Sequence, residues 1–135
     1  MTREKLFRRD YAHVLWNIAE GDIQSAEVMA MHLEKGRREN ICFAAQQCIE
    51  KALKAVLCAR DKPIPMSHSI ELILDRLQTV TPVHADALIE LTDFATSRRY
   101  EEGNEIITPE DVKAIIAAGR SILEWAKDEI AKAAK

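Results

Sequence analysis

The residues best suited to recognition fall on one helical stripe. Gln46, Gln47, Glu50, Lys51 and Lys54 project at 100° per residue into a single arc of about 140°. Amides read base edges and lysine ammonium ions bind phosphate as point charges, so the stripe suits a nucleotide or partner groove. It equally suits a solvated face with one ion pair, because Glu50 and Lys54 are correctly ordered for an i,i+4 bridge. Periodicity alone leaves both readings open. His68, between Ser67 and Ser69, stands at a helix start, where capping through backbone is its favoured role over ligand contact or pH sensing. Arg99 and Tyr100 are placed to reach back across the molecule to Glu50, in a buried network.

Other chemistries find little support. The chain has no Gly-rich phosphate loop, no CxxC and no HExxH, which disfavours a P-loop and catalytic zinc; neither a metal nor a cofactor is expected. His32-Leu33-Glu34-Lys35-Gly36 is similar to the His-x-x-Lys-Gly of histidine phosphotransfer bundles, but Gly36 reads as a helix end followed by Arg37-Arg38. Trp16 and Trp125 lie on apolar helix faces and read as core or dimer aromatics.

These residues must be positioned by a chain of 135 residues, the size of one domain, with 47% hydrophobic and 30% charged residues. Its 19 basic and 22 acidic side chains give 19 − 22 = −3, which argues against bulk charge holding a phosphate backbone. Contact with RNA or a nucleotide must be local, and DNA is not expected as a partner. Four Gly and four Pro are too few for the turns of a β-sandwich. Cys42, Cys48 and Cys58 lie in one apolar stretch and read as reduced core residues of a cytoplasmic protein. Residues 1–10 are followed by no apolar signal core, and no membrane span is expected.

Hydrophobic spacing predicts a first helix from Asp10 to Leu33, with Tyr11, Val14, Leu15, Ile18, Ala19, Ala26, Met29, Ala30 and Leu33 on one face and Asp22 as the exception. Gly21 weakens it, and Gly36 is its stop. From Glu39 to Arg60 nearly every angular position is apolar, so the second helix is central. Pro63 and Pro65 end it. A short helix follows from Ser67-His68-Ser69 to about Gln78. Thr81-Pro82 predicts the start of a fourth, fraying near Arg98 to Gly103, and Thr108-Pro109-Glu110-Asp111 the start of a fifth. The expected fold is all-α: an antiparallel up-and-down bundle of four long helices and one short one, in a single domain over 1–135 with residues 1–9 as an N-terminal arm.

The run from Phe43 to Leu57, with Gln46-Gln47 and Glu50-Lys51-Ala52-Leu53-Lys54, resembles the second-helix QQxxEKxLKAxL pattern of the HEPN domain family. Ser67-His68-Ser69-Ile70-Glu71-Leu72 is similar to the opening of that family's short helix, and Arg99-Tyr100 to the Arg-Tyr before its last long helix. The resemblance spans about residues 10–130. It implies a helical bundle that dimerises and pairs with a small nucleotidyltransferase, as a toxin and antitoxin do. On it, Gln47, Glu50, Lys51, Lys54, His68, Arg99 and Tyr100 are the nucleotide- or partner-binding residues, with none catalytic.

A large branch of the family cleaves RNA with an Arg, about four to six residues, then a His near the last helix, the His moving a 2′-hydroxyl proton and the Arg holding the phosphate. Positions 101–110 hold no histidine, and Glu101 replaces the Pro that often follows Arg-Tyr. Five carboxylates, Glu101, Glu102, Glu105, Glu110 and Asp111, would repel an RNA backbone. Arg8 and His13 have the right spacing but lie at the wrong end of the chain. A divergent ribonuclease and a generic helical adaptor are the competing readings.

Overall fold

The helix with the most apolar circumference organises the rest. The computed structural model describes residues 3–34, 37–100 and 107–134, with residues 94–100 described as backbone only. Its helices are α1 (Tyr11–Ala30), α2 (Arg38–Ala59), α3 (Ile70–Leu77), α4 (Ala85–Tyr100) and α5 (Pro109–Ala133). Helix α2 packs against all four others, as its sequence requires: Cys42, Ala45, Cys48, Ile49, Ala52 and Leu53 are fully buried. The architecture is the expected all-α bundle of four long helices and a short one.

Cross-helix contacts fix the directions. Trp16 Nε1 donates to Leu123 O at 2.9 Å, and Arg120 forks onto Glu27, so α1 runs antiparallel to α5. Arg38 at the start of α2 donates to Ile107 O just before α5, while Arg60 after its end meets Glu129 Oε2 at 3.0 Å. Helices α2 and α5 are therefore parallel. Trp16 is half-buried, a core-edge aromatic with Lys127 Nζ 5.8 Å from its ring centroid.

Helix ends agree with sequence chemistry in two places and depart from it in two. Thr108 and Asp111 form a reciprocal capping box at 3.1 and 2.9 Å, with Pro109 in the first turn. Ser69 Oγ accepts from Leu72 N–H and caps α3, so the cap belongs to Ser69 and not to His68. Thr81-Pro82 does not open α4. The Thr81 hydroxyl donates to Val83 O at 2.6 Å, and the helix starts at Ala85 with His84 Nδ1 accepting from Asp86 N–H. Helix α1 stops at Ala30, before Leu33, because the N–H groups of Met31 and His32 tighten onto carbonyls three residues back. Gly36 and residues 101–106, where the stop of helix one and most of the acidic cluster were expected, lie outside the described residues.

The predicted face of α1 divides in two. Leu15, Ala19 and Ala26 enter the core, joined by Ile23, which was not placed on that face, whereas Val14 and Ile18 point outward. Gly119 of α5 allows α1 this close: a Cβ there would stand 2.8 Å from Ile23 Cδ1. The N-terminal arm is pinned as β1 (Glu4–Lys5), antiparallel to β2 (Ile64–Pro65), a pairing the sequence reading did not contain. Met66 N–H donates to Arg3 O at 2.7 Å, and the Cys58 thiol to Arg8 O at 3.1 Å.

Candidate functional site

The polar stripe of α2 is a real angular feature, but it is not a solvated face. Gln46, Glu50 and Lys54 are buried, Glu50 completely, and Gln47 and Lys51 are half-buried. Helix α2 is apolar almost all round, so neighbours cover even its polar arc, and a charge within that arc must find partners there.

Glu50 is the hub. Its Oε2 accepts from Lys54 Nζ and Lys51 Nζ, each at 3.1 Å, and its Oε1 lies 3.0 Å from His68 Nδ1. Burial pushes the Glu50 carboxyl up, but the charges of Lys54 and Lys51 and their hydrogen bonds outweigh it and hold the group below the ordinary carboxylate value. An ionised carboxylate can only accept, so the His68 nitrogen facing it carries a hydrogen. Lys51 Nζ also donates to Gln47 Oε1 at 3.4 Å, and Gln47 Nε2 to Gln46 Oε1 at 2.9 Å. One hydrogen-bonded chain thus runs from Gln46 to His68.

The exception on the face of helix one, Asp22, belongs to the same neighbourhood. Its carboxyl is pushed up by burial and by the charge of Glu50, against the opposing pull of Lys51. The hydrogen-bonded network thus holds one acid and two lysines, with His68 at its solvent side and the charge of Asp22 acting on it from nearby.

Of the expected site residues, the structure brings together Gln47, Glu50, Lys51, Lys54 and His68. Arg99 and Tyr100 close α4, and their side chains lie outside the described residues; the partners seen on Glu50 are Lys51, Lys54 and His68. His68 is exposed and tied to Glu50, which replaces the capping role expected for it. Arg8 is paired to Asp10 on the surface and His13 is exposed. Phe7 of the arm, which lines the same recess as the lysines and Tyr11 of α1, had no signal in the sequence, because the β1–β2 pairing holds the arm there.

Among the described residues no group of three or more His, Cys, Asp or Glu is placed to hold a metal ion, and no helix is long and apolar enough to cross a membrane. Cys42, Cys48 and Cys58 are buried and form no disulfide; burial and the charge of Asp22 push Cys48 up to about 12, so it stays protonated.

Residues 12–130 match the HEPN domain family. The crystal structure of ST0689, an archaeal HEPN homologue, superposes with a TM-score of 0.64 at 27% identity, covering 93% of this chain and 99% of that one. No curated protein matches. The match over most of the chain, with the bundle and the second-helix motif at its centre, establishes that this chain belongs to the HEPN domain family.

Proposed function

We propose that this chain is a HEPN binding module that acts by holding a small nucleotidyltransferase-type protein, with any nucleotide brought by that partner, and that Gln47, Lys51 and His68 form the contact face. The observation that carries this reading is the Glu50 network. A buried carboxylate shared by two lysines and an imidazole is a weak source of stability, since desolvation offsets most of the Coulomb gain. It does fix the accessible donors of Lys51 and His68 in one geometry, which is what a recognition surface requires. Affinity purification of the tagged chain from its native host, with mass spectrometry, tests the reading: a short nucleotidyltransferase should be recovered, and recovery of none counts against it.

The family's ribonuclease motif is missing from the segment that should carry it, so the RNA-cleaving alternative has little support. A fluorescent RNA should remain intact with the purified protein.

The outward face of α1 supports self-association in the same module. Val14, Ile18, Gly21, Ser25 and Val28 share one side of the helix, all exposed and none charged. Small and β-branched residues along one line suit close packing against the same helix of a second copy, about a two-fold axis.

A further inference from the structure

Lys54, which is not part of the proposed contact face, lines a recess together with Lys51 that nothing above assigns. It has a volume of about 140 Å³ and lies between the N-terminal arm, α1, α2 and the loop carrying β2. Lys51 and Lys54 line one side; Phe7, Tyr11, Leu15 and Met66 line most of the rest. We propose that this recess binds a small monocarboxylic acid with a ring-sized apolar body, the carboxylate on Lys54 and the body against Phe7, Tyr11 and Met66.

Size decides first. A cavity of about 150 Å³ walled by aliphatic and aromatic groups holds one benzene ring, whereas drug-sized ligands occupy sites of roughly 300 Å³ or more. The recess is open on its Met66 side, so its walls enclose a single ring with one substituent, and the rest of a larger molecule such as a nucleotide would lie outside them. The walls are already in place, because Phe7 and Tyr11 stack at 5.0 Å with 13° between their planes, and Met66 is tied to Arg3 by a backbone hydrogen bond. A ligand therefore need not order them.

Charge decides the rest. The Lys54 side chain is 10% exposed, and its ammonium shares the single oxygen Glu50 Oε2 with Lys51. Lys51 has further support from Gln47 and from the field of Asp22. Lys54 has three N–H groups and, among the described residues, one acceptor. Within the described residues, this largely buried ammonium has room for one more acceptor, preferably charged. Glu50, 3.1 Å from the Lys54 ammonium, repels a dianionic phosphate about twice as strongly as a monoanion, which favours the monoanion.

The recess needs no partner chain for its walls, so the isolated full-length protein can be titrated by NMR and calorimetry. The probes are benzoate, benzyl alcohol as its uncharged counterpart, inorganic phosphate and adenosine monophosphate. Benzoate should bind and shift the Phe7, Tyr11 and Met66 resonances, and benzyl alcohol should bind about tenfold more weakly or worse, the value of one hydrogen bond to a charged group. Lys54→Met should remove that preference, bringing benzoate down to the affinity of benzyl alcohol. Equal binding of benzoate and its alcohol, binding of phosphate or the nucleotide as tight as that of benzoate, or undiminished benzoate binding by a folded Lys54→Met protein would each overturn the proposal. Should Lys54→Met fail to fold, Met66→Trp at the exposed rim decides: loss of benzoate binding supports the site, and retention overturns it.

Discussion

Glu50, with no exposed surface, and His68, whose side chain is 81% exposed, are joined by a 3.0 Å hydrogen bond. The buried charge of α2 is reached from solvent through that imidazole and through Lys51, and the loop after β2 is held to the bundle by the His68–Glu50 bond. His68→Ala should cost about 1–2 kcal/mol, as expected for a hydrogen bond to a charged acceptor. Hydrogen exchange gives the specific readout: the Met66 amide, in the segment that His68 anchors, should exchange faster in the variant.

Glu50→Ala leaves Lys54 buried without its counter-charge and should destabilise by about 3–5 kcal/mol in urea melts. The sign with pH follows from the lowered pKa of Glu50. Its stabilising contribution is present above the ordinary carboxyl value, about 4.3, and is lost as pH falls through the folded-state value. The gap between wild type and Glu50→Ala should therefore narrow in acid and not in base.

Asp22 has the opposite sign. Burial raises its pKa, so the folded state holds that proton more tightly than the unfolded chain, and stability falls as pH rises from the unfolded value through the folded one. Asp22→Asn should raise the melting temperature at pH 7, and the gain should disappear below the ordinary Asp range.

Two glycines give a paired test of packing. Nothing lies within 4 Å of a Cβ added at Gly21, so Gly21→Ala should stabilise α1 by about 1 kcal/mol. At Gly119 the added methyl meets Ile23 Cδ1 at 2.8 Å inside the core, and overpacking of about 1–3 kcal/mol offsets the same helix gain. Thermal melts should move up for Gly21→Ala and not for Gly119→Ala.

The sequence made the helices legible because apolar spacing and cap chemistry act locally: Thr108-Pro109 opened α5, and the nearly all-apolar α2 was central. The stripe of Gln46, Gln47, Glu50, Lys51 and Lys54 was legible as an arc, but not its burial, which depends on what packs over it. Thr81-Pro82 misled, because the Thr81 hydroxyl served a turn instead of a helix end. His68 was recognised as a special residue, yet its bond to Glu50 is tertiary and has no local signature. The β1–β2 pairing and the recess beneath it arise from contacts between segments about sixty residues apart, which no periodicity reports.

On the function proposed above, the Glu50 network presents Lys51, Gln47 and His68 to a protein partner. The most direct measurement is calorimetric titration of the nucleotidyltransferase recovered from the host against wild type and Lys51→Met with Gln47→Ala. Both substitutions are at the half-buried rim and spare the buried Glu50–Lys54 pair. The folded double variant should lose about tenfold or more in affinity, the scale of one or two lost charge-assisted hydrogen bonds. Equal affinity for wild type and the variant would contradict it.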